Sequence, residues 1–180
     1  TRFNKLHKIE NVEDVNTLLE IADKYKNNGN ESEALEWYEK AAELGKEEAQ
    51  LEAGIIYDEG LGINKDLKKA FNFFTAASEQ NNSIAQYYLA NMYIKGDGVL
   101  RSIEKSLFWC KKSAENNNSD AMHLLGMIYI TEDKFKNEDL AYFWFKKAKN
   151  LGHQEADDEA EEIETKRQLR IEANKNYDTD

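Results

Sequence analysis

The sequence repeats itself with a period of about 36 residues, and this periodicity limits the chain to a small set of folds. Tyr57, Tyr93 and Tyr129 stand 36 residues apart, and a small residue lies three positions before each of them. A pair that begins with an aromatic residue, and an alanine, recur with spacings of 36 or 35 residues: Trp37-Tyr38, Phe73-Phe74, Trp109-Cys110 and Trp144-Phe145, and Ala49, Ala85, Ala121 and Ala156. In three of the four pairs the second residue is aromatic as well. Periods of roughly 20 to 50 residues are typical of arrays of small supersecondary units.

The residue types in these ladders fit pairs of packed α-helices. A small residue lets two helix backbones approach closely, and the tyrosine and the aromatic pair are expected to fill the groove that it opens. Leu89, Ala90 and Tyr93 would lie on one helix face because of their spacing. The ladders therefore predict the core, and Trp109→Ala is expected to cost about 3–5 kcal/mol of stability.

Helix ends are marked independently of the core. Asn30, Asp66, Ser102 and Asn137 precede the second helix of each pair, where their side chains can accept from free backbone amides. Glycine pairs at 60/62 and 96/98 permit tight loops, and proline is absent. The predicted pairs are 16–28 with 31–44, 47–58 with 67–80, 83–95 with 103–116, and 119–131 with 138–151.

The two ends of the chain differ from the repeats and are interpreted as caps. Phe3, Leu6, Ile9, Val12 and Val15 recur every three residues, and the stretch from Glu155 to Asn174 is a highly charged helical pattern. A polar terminal face prevents stacking with another molecule. The predicted organisation is an N-terminal cap (1–16), a tetratricopeptide-like repeat (17–50), three further repeats (51–86, 87–122 and 123–157), and a C-terminal capping helix with its tail (158–180).

These repeats resemble the Sel1-like repeat (SLR) family, which is related to tetratricopeptide repeats. The pattern is carried by Leu89-Ala90, Tyr93, Gly96-Asp97-Gly98-Val99, Lys105-Ser106 and Trp109-Cys110, whereas 123–157 has lost the glycine loop. The resemblance implies an all-α fold: a right-handed α–α superhelix (solenoid) of about four helix-pair repeats with terminal capping helices. It also implies a scaffold for protein–protein interaction.

The net charge of the chain indicates which kinds of molecule it can bind. The formal net charge is −11, so the chain would gain nothing from counterion release on nucleic acid and is disfavoured at anionic membranes. A basic protein would be attracted instead. We therefore expect a protein partner, no nucleic acid, no membrane, and a monomer when free.

The sequence offers little for catalysis. His153 with Glu155, Asp157 and Asp158 could be imagined as a metal site, but a polar helix start, with acids that favour the N-terminal dipole, explains it better. Cys110 stands at a core position and is interpreted as a buried apolar residue. We expect no enzyme, and no catalytic, cofactor-binding or metal-binding residues.

A partner would bind on the concave face, which is lined by the first helix of each pair as in tetratricopeptide proteins. Tyr87 is the expected centre of this face, with apolar neighbours and an acidic rim. Alternatively, several of these side chains simply pack against the neighbouring repeat. The predicted partner-binding residues are Leu51, Ile55, Asp58, Tyr87, Asn91, Ile94, His123, Met127 and Ile130.

Two kinds of protein-binding function are compatible with these features. One is a general adaptor, and the other is a dedicated inhibitor, such as an immunity protein that neutralises a bacterial toxin or effector. A ligand-binding protein or enzyme is a distant third. Asparagine- and lysine-rich composition suggests a bacterial genome, and the single cysteine favours a cytoplasmic location, with the periplasm as the alternative.

Overall fold

The computed structural model describes residues 14–177, with side chains up to residue 173. In this range the chain forms nine α-helices, one short 3-10 helix and no strand. The α-helices are α1 (Val15–Asn27), α2 (Glu31–Glu43), α3 (Glu47–Glu59), α4 (Leu67–Glu79), α5 (Ser83–Lys95), α6 (Ile103–Glu115), α7 (Ser119–Thr131), α8 (Glu138–Asn150) and α9 (Gln154–Tyr177). Each helix from α1 to α8 has 13 residues.

The predicted all-α helix-pair fold is confirmed. All eight predicted helices of the four pairs are present, and each end lies within one residue of its predicted position. The predicted N-terminal cap, with Phe3, Leu6, Ile9 and Val12, lies almost wholly outside the described residues. No helix within residues 14–177 combines the length and the apolar character needed to cross a lipid bilayer.

Two of the four predicted side-chain caps, Asp66 and Asn137, are confirmed. Asp66 accepts from the amides of Lys68 and Lys69 at 3.1 and 3.0 Å, and Asn137 accepts from that of Leu140 at 3.0 Å. The prediction for Asn30 is wrong, because its side chain makes no capping hydrogen bond. Its backbone amide donates instead to the carbonyl of Tyr25 at 3.0 Å, so the short turn holds the start of α2.

The repeated tyrosine fixes the loop inside each pair through its carbonyl oxygen. The carbonyl of Tyr57 accepts from the amide of Asp66 at 2.9 Å, and the carbonyl of Tyr129 accepts from that of Asn137 at 2.8 Å. Gly60 ends α3 in a left-handed conformation (φ 72°), which glycine adopts without strain. The loop at 132–137 has no glycine and reaches the same bond through the 3-10 helix Asp133–Phe135.

The chain divides into two compact units, one ending at Ser102 and the other beginning at Ile103. In the first unit, α1 packs on α2, α2 on α3, α3 on α4, and α4 on α5. In the second, α6 packs on α7, α7 on α8, and α8 on α9.

The core corrects one expectation about the aromatic pairs. The second member of each pair is fully buried: Tyr38, Phe74 and Cys110 are 0% exposed and Phe145 is 1% exposed. Among the first members, Trp37 is buried, but Phe73, Trp109 and Trp144 are half-exposed. The interpretation of Trp109 as a large buried core residue is therefore wrong, and the stability cost expected for Trp109→Ala falls below 3–5 kcal/mol.

Close helix approach explains why the second member is the buried one. A methyl group added at Gly54 would lie 2.6 Å from the ring of Phe74, and one at Gly126 would lie 2.4 Å from the ring of Phe145. These distances are far below van der Waals contact, so the ring of the second helix sits directly on the glycine backbone of the first. The predicted role of the small residue is confirmed at both positions.

The last helix, α9, packs on α8. Ala156, Ala160 and Ile163 are its buried residues. Its other faces are charged, and Arg170 holds Glu138 of α8 through two hydrogen bonds of 3.0 and 3.1 Å. The pKa of Glu138 is lowered, chiefly by the hydrogen bond from Arg170. The helix thus packs its buried face on α8 and presents a mostly charged surface, on which Leu169 and Ile171 are also exposed.

Candidate partner-binding site

The predicted binding residues lie on α3, α5 and α7. Eight of the nine are half-buried, which leaves each of them partly accessible to a partner. Leu51 is 8% exposed and buried, so its assignment to the binding surface is wrong. The reason is that α3 packs against both α2 and α4, and only a narrow strip of its surface reaches solvent.

Three of the predicted residues line one cleft in the first unit. Asp58 comes from the end of α3, and Tyr87 and Asn91 come from successive turns of α5. The cleft has a volume of about 280 Å³. Its remaining lining residues are Lys65, Tyr88, Met92, Lys95 and Asp97. Ile55 and Ile94 are half-buried on the same two helices but do not line it.

One wall of the cleft is aromatic, formed by Tyr87 and Tyr88, and it packs against the core. The ring of Tyr88 stacks on that of Phe74 with centroids 4.7 Å apart and planes 9° apart. The ring of Tyr87 meets that of Tyr88 at 6.0 Å and 64°, in an edge-on arrangement. The side-chain amide of Asn91 donates to the carbonyl of Tyr87 at 3.2 Å. Because Phe74 is fully buried, this wall is held in place before any partner arrives, which lowers the entropy cost of binding.

The cleft carries charges of both signs, since two acids, Asp58 and Asp97, and two lysines, Lys65 and Lys95, line it. Burial raises the pKa of the Tyr88 phenol, and the nearby carboxylates of Glu59 and Asp58 raise it further. Lys65 Nζ lies 4.0 Å from Asp58 Oδ1, at the limit of an ion pair, and its side chain is 53% exposed. Such a pair contributes little. A cation from a partner could therefore replace Lys65 beside Asp58 at small cost.

The other three predicted residues, His123, Met127 and Ile130, belong to the second unit and are half-buried there. His123 is engaged within that unit. Its Nε2 atom lies 2.7 Å from Glu159 Oε2, and its ring stacks with that of His153 at 4.4 Å. These contacts tie His123 to α9 and make it a poorer candidate for partner binding than Tyr87.

Sequence reasoning missed several residues of the cleft, among them Tyr88, Lys95 and Asp97. Tyr88 was not predicted as a binding residue because it lies between the predicted binding position 87 and the core position 89. Its signal in the sequence was the Tyr87-Tyr88 pair itself, since two adjacent tyrosines of a helix point in different directions. Asp97 lies in the glycine loop, which was interpreted only as a turn.

A second surface was also missed. Phe108 on α6 and Phe143 on α8 are 53% and 47% exposed. A lysine one turn later lies over each ring, Lys112 at 4.9 Å and Lys147 at 4.8 Å from the centroid. The sequence signal was a phenylalanine–lysine pair at i, i+4, repeated after 35 residues.

The interpretation of Cys110 as a buried apolar residue is confirmed. Its thiol is 0% exposed and donates to the carbonyl of Ala121 at 3.0 Å. Burial raises the pKa of this thiol strongly, so the reactive thiolate is not formed near neutral pH.

Comparison with protein families gives matches over most of the chain. The model of the Sel1 repeat matches residues 26–46, 47–82, 83–118 and 119–153. No match is found among curated proteins.

Solved structures with the same fold come from several bacteria. A protective antigen of uropathogenic Escherichia coli with an SLR fold shares 28% identity over 86% of this chain, with a TM-score of 0.82. A Sel1 repeat protein from Oxalobacter formigenes shares 25% identity over 84% of this chain, with a TM-score of 0.76. The matches span 34% and 64% of those two proteins, so this chain corresponds to only part of each.

Proposed function

The chain belongs to the Sel1 repeat family, and from this membership we propose that it is a non-enzymatic scaffold that binds a partner protein through the cleft of its first unit. Sel1 repeats serve in protein–protein interaction, and the Cys110 thiol is buried and protonated. Both points favour binding over catalysis.

The observation that carries the proposal is the convergence of Asp58, Tyr87 and Asn91 on one cleft. A pre-positioned tyrosine in a half-buried pocket is the kind of residue that dominates binding energy in protein interfaces. Most of the cleft is lined by side chains of α3 and α5, whose backbones are fixed by the core, and the loop residues Lys65 and Asp97 complete it. It therefore supplies the rigid, shaped surface that a protein ligand needs.

The charges favour a basic segment of the partner. The two acids that line the cleft, Asp58 and Asp97, are matched in number by Lys65 and Lys95, so the preference rests on Glu59 beside Tyr88 and on the net charge of −11. A lysine or arginine of the partner would pair with Asp58, and a guanidinium would also stack on the face of a tyrosine ring. The net charge would speed the approach of such a partner.

Replacing Tyr87 tests the location of the site. We expect Tyr87→Ala to weaken partner binding by about 2 kcal/mol or more, which is roughly 30-fold in Kd, while the melting temperature stays close to that of the unmodified chain. The partner is obtained by affinity purification from the host and identified by mass spectrometry, and Kd is then measured by calorimetry with the purified components.

Phe143→Ala serves as the matched control, because it removes an exposed aromatic ring from a different surface. Retained binding in this control, with loss in Tyr87→Ala, supports the cleft. The reverse result would move the site to the surface of Phe108 and Phe143. A large fall in melting temperature for Tyr87→Ala, with normal binding by the folded fraction, would assign Tyr87 to the core.

Replacing Asp58 tests the chemistry of the partner. We expect Asp58→Asn to slow association and to reduce its dependence on salt, with little change in the dissociation rate, because a rim charge acts mainly on the approach. Stopped-flow or surface-plasmon measurements between 20 and 300 mM NaCl give both rates. Faster association after the change would show that the partner is acidic at this point.

The same purification distinguishes between the two functions that a scaffold of this kind could have. One tight partner bound in a one-to-one complex favours a dedicated inhibitor of a toxin or effector, and several partners of modest affinity favour a general adaptor.

A further inference from the structure

Two histidines that are 30 residues apart in the sequence meet in the second unit. His123 lies on α7, and His153 immediately precedes α9. Their rings stack, with centroids 4.4 Å apart and planes 21° apart. The two side chains are only 17% and 13% exposed. A pair of imidazoles is thus held together in a partly desolvated place.

Three carboxylates surround this pair. Glu159 Oε2 lies 2.7 Å from Nε2 of His123, and Asp120 Oδ1 lies 3.4 Å from Nε2 of His153. The third is Glu155, which offers an oxygen close to both rings. Because a carboxylate only accepts, Nε2 of His123 carries the proton of that hydrogen bond, and the lone pair of the neutral ring lies on Nδ1. A carboxylate that holds one ring nitrogen while the other is left to a ligand is the usual support of a metal-binding histidine.

We propose that His123, His153 and Glu155 bind a divalent transition-metal ion of the Zn²⁺ class. One ligand atom from each residue lies within 4.8 Å of the other two. A tetrahedral zinc ion with ligands at about 2.1 Å requires ligand atoms about 3.4 Å apart, so the groups must close by about 1.4 Å at most. Glu155 is exposed and can adjust by changing its rotamer, and the two stacked rings must also turn toward one ion, because the lone pair of an imidazole nitrogen lies in the plane of its ring.

The donor set selects the kind of ion. Two imidazole nitrogens and one carboxylate oxygen suit zinc, nickel, cobalt or copper, whereas magnesium and calcium prefer sets made only of oxygen. Three protein ligands leave a fourth position, which water or one of the flanking carboxylates, Asp120 or Glu159, would fill.

Helix capping alone does not account for the histidine at 153. The amide of Ala156 donates to His153 Nδ1 at 3.3 Å, so the ring caps α9, and an ion bound at Nδ1 would replace this hydrogen bond while Nε2 keeps its proton toward Asp120. At the corresponding starts of α5 and α7, however, Asn82 and Asn118 make the same bond at 2.9 and 3.0 Å. An asparagine would therefore cap at least as well. The histidine adds a metal-ligating nitrogen beside His123, which an asparagine does not.

The electrostatic balance also permits a cation here. A helix N-terminus repels a positive ion, which is a cost at the start of α9. The carboxylates of Asp120, Glu155 and Glu159 offset this cost. A bound ion would join α7 to the start of α9 within the second unit.

Metal binding is tested on the full chain, without a polyhistidine tag, after treatment with a chelator. We expect ZnCl₂ titration in a calorimeter to show one strong site per chain and to raise the melting temperature. Co²⁺ should give the visible absorption bands of a four-coordinate site. The variants to compare are His153→Asn, Glu155→Gln and Glu162→Gln.

His153→Asn is the informative change, because asparagine at this position keeps the helix cap and removes the imidazole ligand. It should weaken Zn²⁺ binding at least tenfold and abolish the Co²⁺ bands, while the melting temperature without metal stays unchanged. Glu155→Gln should also weaken binding. Glu162→Gln removes an exposed acid of the same helix and should bind as the unmodified chain does.

Two results would overturn the proposal. One is the absence of saturable Zn²⁺ binding up to millimolar concentration. The other is equal binding by all four chains, which would show that the ion interacts with the acidic surface in general. Because these readouts require no partner protein, they are independent of the proposed scaffold function.

Discussion

At the scale of single residues, the contact between a glycine and a ring sets how closely two helices pack. In the second unit the ring of Phe145 lies against Gly126 so tightly that an added methyl group would be 2.4 Å from it. The equivalent positions of the third repeat hold Ala90 and Cys110, a larger first residue with a smaller second one. The first repeat combines Ala22 with Tyr38, both fully buried, so the limit on the combined volume of the two positions applies where the first residue is glycine and the ring of the second helix lies directly on it.

Gly126→Ala tests this limit. We expect a loss of about 1–3 kcal/mol in the free energy of unfolding, because the methyl group must displace a fully buried ring. Adding Phe145→Leu should restore part of that loss. Urea unfolding of the two single variants and the double variant gives a coupling energy, expected to be about 0.5–3 kcal/mol. Strictly additive effects would show that the two residues do not share one space.

The aromatic pairs show what the sequence alone could not settle at this scale. The period places Trp109 and Cys110 side by side in the core region, but it does not say which member faces the partner helix. Tryptophan is the larger apolar residue, so size alone favours it as the buried one, whereas the structure buries Cys110. The choice depends on the rotation of the second helix about its axis, which only packing determines.

At the scale of elements, the helices could be predicted almost completely because their signals are local. Caps such as Asp66, glycines such as Gly60, and the small–aromatic spacing all lie inside the segment that they define. The sites depend instead on which elements meet. The cleft joins Asp58 of α3 to Tyr87 of α5, and the histidine cluster joins α7 to the start of α9. The repeat pattern placed Asp58 and Tyr87 on one face, whereas no local pattern encodes the meeting of the two histidines.

The last helix gives a prediction at this scale. A chain that ends at residue 152 loses the contacts of Ala156, Ala160 and Ile163 and uncovers the face of α8 beneath them. We expect a loss of about 3 kcal/mol, or roughly 5–10 °C in Tm. The uncovered face should also promote self-association. Calorimetry and light scattering measure the two effects.

A chain that ends at residue 170 is the control for this truncation. It keeps the three buried residues and Arg170, which pairs with Glu138. Its Tm and its state of association should match those of the full chain. Equal Tm values for the two shortened chains would mean that α9 contributes nothing to stability through its buried face.

At the scale of the whole molecule, the net charge of −11 acts against the compact state. Salt screens this repulsion, since the screening length falls to about 10 Å at 0.1 M. We therefore expect Tm to rise between 20 and 300 mM NaCl, even though exposed ion pairs such as Lys166–Glu162 weaken over the same range. Differential scanning calorimetry provides the measurement.

Removing charge provides the comparison. Glu36 and Glu115 are exposed acids of α2 and α6, and changing both to glutamine should make the rise of Tm with salt smaller. A Tm that falls with added salt would show that local ion pairs outweigh the overall repulsion.

The equal length of helices α1 to α8 bears on how such a chain can change during evolution. Residues 83–118 begin after Asn82 and end with Asn118, and both asparagines cap the following helix in the same way, through the amides of Ala85 and Ala121. If this 36-residue segment were duplicated, the helix at each of its borders would still be preceded by a capping asparagine, and no new residue would be required. Gene duplication can lengthen such a chain in whole steps, and each added copy is free to acquire its own surface.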